Sequence, residues 1–206
     1  MKDQIKAVVF DLGNVVFHCH FEAVVDHWAE AAKLTRAQVL AGLEAYGDEF
    51  HECFERGEME AEEFYAHLSK AIGCALPHEE FETGWNNIYG APCEGVADLI
   101  LSLKKNYRVL ALTNTNAVHA KVWPQRYEKE LAGFERIFSS HEMRLRKPEP
   151  AIYARVLEYL QLRGEQVLFL DDREENIAGA ARAGMRCITV RSPEQLLREV
   201  RSLGLV

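Results

Sequence analysis

The feature that most constrains this chain is an apolar run near its start that ends in a single carboxylate. The run Val8 to Phe10 is followed by Asp11-Leu12-Gly13-Asn14, which has the composition of a tight turn. An aspartate at the carboxyl end of the first strand of an α/β sheet points into the crevice where such sheets bind ligands. Asp11 is therefore a candidate nucleophile or metal ligand.

Two patterns divide the rest of the chain. Apolar residues recur at helical spacing throughout residues 21–89, whereas helical stretches alternate with short apolar runs from Cys93 onward. The alternation predicts an α/β fold with a mostly parallel sheet, which the first strand, Ile5 to Phe10, joins. The helical block is then an insertion after that strand. The remaining predicted strands are Val109 to Leu112, Arg136 to Phe138, Val167 to Leu170 and Cys187 to Val190.

Five helices are predicted in the inserted block, which we interpret as a small helical bundle. Thr35 followed by Gln38 has the spacing of a capping box. Gly57 and Gly73 are predicted helix ends, and Pro77 is a predicted helix start.

Composition favours a globular protein with a small-molecule ligand. The chain has 206 residues, of which 48% are hydrophobic, so it can bury one large core with or without a small satellite. A formal net charge of -8 disfavours a nucleic-acid partner. No stretch approaches the roughly 20 apolar residues of a membrane span, and Met1 to Gln4 is too polar to begin a signal peptide. We expect a cytoplasmic protein without a membrane partner, either a monomer or a weak homodimer.

The cysteines do not indicate a zinc knuckle or a disulfide framework. All five are scattered without a C-x-x-C pair, and we interpret them as reduced thiols. His18-Cys19-His20 resembles a metal pair, but no third ligand is in view, so a structural or hinge role is favoured over zinc.

Polar side chains follow the later predicted strands as well. The carboxyl ends of parallel strands meet at one rim, so these side chains are expected beside Asp11. The set suits phosphoryl transfer, in which Asp11 attacks phosphorus while Thr113 and Lys147 hold the phosphoryl oxygens. Mg²⁺ is the expected cofactor because the available ligands are hard oxygens. The segments are Thr113-Asn114-Thr115-Asn116, Arg146-Lys147-Pro148 and Asp171-Asp172.

These residues resemble the four motifs of the haloacid dehalogenase superfamily, in the right order and across nearly the whole chain. The resemblance implies a Rossmann-like three-layer core at 1–17 and 92–206, with the helical cap of the first subclass at 18–91. Further segments are similar to family members that hydrolyse α-D-glucose 1-phosphate, which makes a sugar phosphate the expected substrate. The four motifs match Asp11 to Val15, Leu112 to Asn114, Arg146 to Glu149 and Leu170 to Asn176; the further segments are Glu55 to Glu58, Thr113 to Asn116 and Trp123-Pro124.

The resemblance also implies a role for each matching residue. Asp11 becomes the nucleophile, and Asp11, Asp172 and the backbone carbonyl of Gly13 become Mg²⁺ ligands. Lys147 stabilises charge, and Asp171 supports the metal site from outside it. Substrate contacts are expected from Asp11, Leu12, Gly13, Thr113, Asn114 and Lys147, with Arg56 and Trp85 contributed by the cap.

One position departs from the family pattern. Most phosphatases of the superfamily carry a second aspartate two residues after the nucleophile as general acid and base, and here that residue is Gly13. Proton transfer of this kind contributes about 10² to 10⁴ in rate. Either the substrate has an acidic leaving group, such as an anomeric hydroxyl, or another group substitutes. The candidate substitutes are His18, His20, His119 and Arg56.

Simpler roles compete with several of these assignments. Asn116 is equally well explained as a turn residue. Lys147 has the alternative of a solvated surface charge. Asp172 has the alternative of capping a helix that begins near Glu174. Trp85 is either part of the cap core or a substrate contact.

Three other functions remain open at this point. A haloacid dehalogenase directs the same aspartate at carbon and needs no metal, so the acidic pair Asp171-Asp172 favours the phosphatase. A phospho-accepting receiver domain places its acidic pair early in the chain, whereas here it comes last. A catalytically weak, phospho-ligand-binding relative is the third, because Gly13 lacks the carboxylate.

Overall fold

A parallel five-stranded sheet forms the centre of the computed structural model, which describes residues 5–206. The strands in chain order are β1 (Ala7–Phe10), β2 (Phe17–Cys19), β3 (Tyr89–Pro92), β4 (Arg108–Thr113), β5 (Arg136–Ser139), β6 (Val167–Asp171) and β7 (Arg186–Thr189). In the sheet they are ordered β5-β4-β1-β6-β7, and every neighbouring pair is parallel. The predicted α/β class and parallel sheet are confirmed.

The position of β1 explains its unbroken apolar sequence. It is the central strand, and all four of its residues are fully buried. Val8 and Phe10 pack into the core on one face of the sheet, whereas Ala7 and Val9 pack into the core on the other. A strand covered on both faces needs apolar side chains at every position rather than at alternate ones.

Helices cover both faces of the sheet and make the core a three-layer structure. One face is packed by α6 (Val96–Leu103) and α12 (Pro193–Ser202), and the other by α10 (Pro150–Leu160) and α11 (Glu174–Arg182). Short helices complete the connections: α7 (Trp123–Arg126), α8 (Glu128–Leu131) and α9 (Ser140–Met143), with 3₁₀ turns at His119–Lys121 and Gly164–Gln166.

Within the described part of the chain, five helices lie between β2 and β3, as predicted. Thr35 forms the expected capping box with Gln38, Gly73 ends a helix in a left-handed conformation, and Pro77 precedes the last helix. These helices share a separate apolar core that contains Trp28, Phe54, Phe64 and Trp85. The helices are α1 (Phe21–Ala32), α2 (Arg36–Tyr46), α3 (Asp48–Glu55), α4 (Ala61–Ile72) and α5 (His78–Asn86).

A two-stranded antiparallel ribbon, which the sequence patterns do not predict as a pair, joins the helical block to the sheet. It consists of β2 and β3, with Phe17 opposite Pro92 and Cys19 opposite Tyr89. Both crossings of the chain between the two parts therefore run side by side. His18 lies on this ribbon, and His20 directly follows its first strand.

The strand order places the topological switch point, where successive connections change sides, between β1 and β6. Chain connections run from β1 toward β4 on one side and from β6 toward β7 on the other. Open α/β sheets bind ligands at the carboxyl ends of the strands at such a point. Asp11 follows β1, and Asp171 ends β6. Among the described residues, no helix has both the length and the apolar character needed to cross a membrane.

Candidate active site

Three charged side chains form a buried chain at the switch point. The ammonium of Lys147 lies 2.8 Å from Asp11 Oδ1 and 2.6 Å from Asp171 Oδ2. The Lys147 side chain is 1% exposed and that of Asp171 is fully buried, whereas that of Asp11 keeps 11% of its surface open to the cavity. Lys147 is therefore a buried charge held between two carboxylates, and the surface-lysine alternative is wrong.

Asp171 has no free capacity for a ligand. Its Oδ1 accepts hydrogen bonds from the Arg173 backbone N–H and from Asn176 Nδ2, both at 2.9 Å. Its Oδ2 accepts from Lys147 Nζ and, at 3.1 Å, from Asn176 Nδ2. Asp171 thus orients Lys147 and the start of α11, and helix α11 does not use Asp172 as a side-chain cap.

Asn114 fixes the backbone of Lys147. Its Oδ1 accepts a hydrogen bond from the Lys147 N–H at 2.8 Å, and its Nδ2 donates to the Lys147 carbonyl at 3.0 Å. This two-point clamp occupies both ends of the side-chain amide. The side chain of Asn114 therefore positions Lys147 and is not free for the predicted phosphate contact. Only the backbone of Asn114 could make that contact.

Asp172 is held from the opposite wall by the turn after β1. Asn14 Nδ2 donates to Asp172 Oδ2 at 3.1 Å, and Asn14 Oδ1 accepts from the Cys19 N–H at 2.9 Å. Asn14 adopts the left-handed conformation, with a φ of 54°, which asparagine tolerates better than most residues. One side chain thus ties together the ends of β1 and β6 and the ribbon strand β2.

Burial controls the electrostatics of these groups. Burial raises the pKa of Asp11 to about 7; Lys147 opposes this shift, and the neighbouring Asp171 adds to it. Burial likewise raises the pKa of Asp172. For Lys147, burial alone would lower the pKa, but the carboxylates of Asp11 and Asp171 outweigh it, so the pKa is raised and the ammonium stays charged.

The donor set fits a hard divalent cation. Carboxylate oxygens of Asp11, Asp171 and Asp172 lie within 4.8 Å of one another. Since Asp171 is already saturated, Asp11 and Asp172 supply the available oxygens. A carboxylate whose pKa is raised by burial and by its acidic neighbours gains from a further positive charge beside it. Two carboxylates completed by carbonyl, water or phosphate oxygens are the usual protein environment of Mg²⁺.

A cavity of about 240 Å³ opens at this point between the sheet and the helical block. Its core-side wall is polar, and its helical wall contributes Phe21, His51, Glu55, Trp85 and Ile88. Trp85 therefore belongs both to the core of the helical block and to the cavity wall. The predicted residues that line the cavity together are Asp11, Leu12, Gly13, Thr113, Asn114, Lys147 and Asp172.

Asn116 and His119 line the cavity but are committed to structural hydrogen bonds. Asn116 Oδ1 accepts from the backbone N–H groups of Val118 and His119, which is a turn role. The His119 Nε2–H donates to the Trp85 carbonyl at 3.1 Å, so Nδ1 accepts from Asn116 Nδ2 at 3.2 Å. Burial lowers the pKa of His119 to about 3. His119 is therefore a neutral, fully bonded imidazole and does not serve as the proton donor that Gly13 lacks.

The other predicted substitutes lie away from the cavity wall, as judged over residues 5–206. His18 Nε2 is 3.8 Å from Cys93 Sγ, and His20 is exposed. Arg56 is engaged in ion pairs with Glu58 at 2.9 Å and Glu149 at 3.0 Å. The structure does not bring Arg56 to the site, so its predicted substrate contact would require those pairs to break.

The neighbouring arginine, Arg146, joins the helical block to the loop that carries Lys147. Arg146 Nε donates to Glu55 Oε2 and its Nη1 to Glu52 Oε1, both at 2.9 Å. The side chains of Arg146 and Glu55 are each 10% exposed. Gly57 approaches the same region closely, since a Cβ there would lie 2.5 Å from the His141 carbonyl oxygen. The end of α3 is thus fixed against the core beside the active-site loop.

At Gly13 a thiol occupies the space that a side chain would enter. A Cβ at residue 13 would lie 3.3 Å from Cys19 Sγ. Cys19 also lines the cavity, and burial raises its pKa, so the thiol is neutral and a poor acid. Neither residue supplies the proton donor of the common family pattern.

Several site residues carry only a weak signal in the sequence. The pattern around Asn14 indicates a turn, although asparagine is also one of the residues that adopt positive φ and reach back to neighbouring groups. His51 belongs to no motif, yet its i, i+4 spacing from Glu55 on a predicted helix places the two residues on one face. Arg146 belongs to a motif that does not itself indicate the contact with the helical block.

Comparison with known proteins agrees with this geometry. The sequence model of the haloacid dehalogenase-like hydrolases matches residues 5–184. A D-ribitol-5-phosphate phosphatase of Bacteroides thetaiotaomicron is 26% identical over 184 residues, covering 84% of this chain and 85% of that protein. A sesquiterpene phosphatase of Aspergillus oryzae is 29% identical, covering 87% of each chain.

A solved structure extends the similarity to the whole fold. It is an aspartate-to-alanine variant of a haloacid dehalogenase family enzyme from Bacteroides thetaiotaomicron, in complex with magnesium and inorganic phosphate. It is 25% identical, with a TM-score of 0.76, and covers 91% of this chain and 95% of that one. The match of the family model over most of the chain, with the shared fold, establishes that this protein belongs to the haloacid dehalogenase-like hydrolase family.

Proposed function

We propose that this hydrolase is a Mg²⁺-dependent phosphatase that removes the phosphoryl group of a small phosphorylated metabolite through an aspartyl-phosphate intermediate. The observation that carries the proposal is the buried contact between Asp11 and Lys147 at the switch point, with Asp172 beside it. Two relatives of similar length are phosphatases, and a structural relative binds magnesium together with inorganic phosphate.

The nucleophile is the Asp11 carboxylate. Its Oδ1 is paired with Lys147, so the second oxygen is the one left to attack phosphorus. Attack breaks the bond between phosphorus and the ester oxygen and leaves a phosphorylated aspartate. Water then attacks that phosphorus and releases inorganic phosphate.

Lys147 and Thr113 hold the transferred group. The Lys147 ammonium cannot move far, because Asn114 clamps its backbone and Asp171 holds its tip. A fixed positive charge at the place where phosphoryl charge gathers stabilises the transition state without reorganisation. Thr113 ends β4 and adds a hydroxyl at the same rim.

Mg²⁺ is proposed to be held by Asp11, Asp172 and the backbone carbonyl of Gly13. Asp171 supports this site without binding the metal. When bound, the cation offsets the charge between the attacking carboxylate and the phosphoryl oxygens. Asn14 keeps the Asp172 carboxylate in place for this purpose. Glycine at position 13 retains the carbonyl that this role requires.

The proposed substrate is a sugar phosphate, such as α-D-glucose 1-phosphate. An anomeric leaving group depends less on a general acid than an ordinary alcohol does, which suits a chain with Gly13. The cavity combines polar groups with the ring of Trp85, as a sugar site requires. Equal kcat/KM for glucose 1-phosphate and glucose 6-phosphate would count against this substrate.

The division of labour between the two parts is also a proposal. Residues 1–17 and 92–206 would form the catalytic core, and residues 18–91 a cap that closes over the substrate and excludes water. Residues 1–4 of that core lie outside the described residues. The β2–β3 ribbon is the natural hinge, and the ion pairs that opening would break include those of Arg146 with Glu52 and Glu55 and that of Arg56 with Glu149.

A screen over phosphate esters tests the function directly. We expect Mg²⁺-dependent release of phosphate from sugar and polyol phosphates, abolished by EDTA and restored by Mg²⁺. EDTA-resistant release of halide from a 2-haloacid would instead identify a dehalogenase. Stable phosphorylation of Asp11 without repeated turnover would identify a phospho-ligand-binding relative.

A further inference from the structure

The helical wall of the cavity carries one histidine that no other role explains. His51 on α3 lines the active-site cavity, and its side chain is 44% exposed there and toward an adjoining smaller cavity. Its ring packs edge-on against Trp85, with ring centres 5.8 Å apart. Unlike His119, it makes no hydrogen bond within the described residues that would commit both ring nitrogens.

A carboxylate on the same helix face accompanies this histidine. His51 Nε2 lies 3.8 Å from Glu55 Oε1, one helical turn away. The other oxygen of Glu55 accepts a 2.9 Å hydrogen bond from Arg146 Nε. Glu55 is therefore held in place by Arg146, while its free oxygen faces the imidazole. A carboxylate placed in this way orients the imidazole ring.

We propose that His51 donates the proton to the leaving group, in place of the aspartate that Gly13 has replaced, with Glu55 as its positioning residue. The proposal rests on the proposed phosphatase function. As Asp11 attacks phosphorus, the electron pair of the breaking P–O bond goes to the ester oxygen, which takes the proton of the His51 imidazolium. In the second step neutral His51 takes a proton from the water that attacks the phosphoaspartate.

The surroundings of His51 suit a group that exchanges protons. The charged groups of its own helix that face it, Glu55 and Asp48, are both acidic, and across the cavity the core presents the carboxylates of Asp11 and Asp172. The facing side chains of α4 and α5 are Phe64, Leu68 and Trp85, and His119 faces it from the core as a neutral ring. Three cations lie nearby, and each is paired with a carboxylate: Lys147 and Arg173 line the core side of the same cavity, and Arg146 binds the other oxygen of Glu55. Histidine is the side chain best matched to donating and recovering a proton near neutral pH.

A comparison of leaving groups separates this role from a structural one. The His51→Gln variant is assayed with an alkyl phosphate, or a sugar phosphate whose ester oxygen is not anomeric, because its leaving alkoxide needs a proton. It is also assayed with p-nitrophenyl phosphate, whose leaving phenolate does not. We expect kcat/KM for the alkyl ester to fall by about 10²- to 10⁴-fold. For p-nitrophenyl phosphate, the factor by which kcat/KM falls should be at least about ten times smaller than for the alkyl ester.

The chain offers a matched control on the next helix. His67 on α4 pairs with Glu63 at 3.9 Å with the same four-residue separation, and it lies off the cavity wall. His67→Gln should leave both assays unchanged. Glu55→Gln should reproduce the leaving-group dependence of His51→Gln in weaker form.

Each outcome bears on one claim. Equal losses on both esters, or no loss on either, would overturn the role of His51 while leaving the phosphatase intact. If the wild-type protein hydrolyses neither ester in the presence of Mg²⁺, the proposed function itself fails. Thermal unfolding of the variants distinguishes a lost proton donor from a damaged fold.

Discussion

The Lys147 ammonium and the Asp11 carboxylate are in contact at 2.8 Å inside the protein, where the Lys147 side chain is 1% exposed. A buried lysine is tolerated only when its charge is compensated, and here Asp11 and Asp171 both do so. The same arrangement keeps a fixed cation beside the proposed nucleophile. Stability and catalysis therefore depend on the same three charges.

Removing the Lys147 charge should unfold the protein more easily. Lys147→Met leaves two buried carboxylates without their cation, and we expect the free energy of unfolding to fall by about 3–5 kcal/mol. Urea denaturation at pH 7.5 measures the change. Lys104→Met, an exposed lysine that donates to the Ala132 carbonyl, is the control and should stay within about 0.5 kcal/mol. A loss below about 1 kcal/mol for Lys147→Met would contradict the buried-cation account.

Asn14 should strengthen the binding of Mg²⁺ without taking part in the reaction. Asn14→Gly keeps a backbone that favours positive φ and removes the hydrogen bond to Asp172. We expect the Mg²⁺ concentration for half-maximal activity to rise by about 10- to 100-fold. Gln161→Gly, at the same φ of 54° after α10, is the matched control. The Asn14 role is wrong if both variants have wild-type metal requirements.

His119 should make the fold sensitive to acid. Burial lowers its pKa from 6.5 to about 3, so the unfolded chain binds a proton between these values that the folded chain does not. The contribution of neutral His119 to the free energy of unfolding is fully present above pH 6.5 and is lost as the pH falls toward 3. Between pH 7.5 and pH 5 this lowers the free energy of unfolding by about 2 kcal/mol, because each pH unit below 6.5 costs about 1.4 kcal/mol.

Urea denaturation of the wild type and of His119→Gln at pH 7.5 and pH 5 tests whether His119 causes this loss of stability in acid. The variant should lose about 2 kcal/mol less than the wild type between pH 7.5 and 5, whatever its stability at pH 7.5. An identical acid loss in both proteins would mean that His119 is not the titrating group.

A carboxylate at position 13 should relieve the need for His51. Gly13→Asp combined with Cys19→Ala provides space for the side chain, since Cys19 Sγ lies 3.3 Å from the new Cβ. Placed in the His51→Gln background, this pair should recover at least about tenfold of kcat/KM on an alkyl phosphate. Recovery on p-nitrophenyl phosphate alone would contradict the proton-donor account.

The parallel sheet could be predicted because buried strands leave an apolar signature that ends in polar residues. The strand ends at Asp11, Thr113 and Asp171 therefore indicate the rim from the sequence alone. The β2–β3 ribbon leaves no such signature, since Phe17–Cys19 is three residues long and Tyr89–Pro92 contains glycine and proline. Its pairing depends on residues some 70 positions apart.

Side-chain partners are less predictable than positions. The sequence places Asn114 correctly at the rim, but nothing in it indicates that the side-chain amide is consumed by the Lys147 backbone. Arg56 looks available for substrate in the sequence, and only the structure shows it paired with glutamates. Such choices are made by tertiary contacts that local patterns do not encode.

The central claim is that Asp11 becomes phosphorylated in each turnover. Acid quenching during steady-state hydrolysis, followed by peptide mass spectrometry, tests it most directly, with Asp11→Asn as the negative control. We predict a phosphoaspartate at Asp11 that forms and decays at least as fast as kcat, with solvent ¹⁸O entering the released phosphate and not the Asp11 carboxylate. Rapid turnover without phosphorylation of Asp11, or ¹⁸O incorporated into its side chain, would contradict the account.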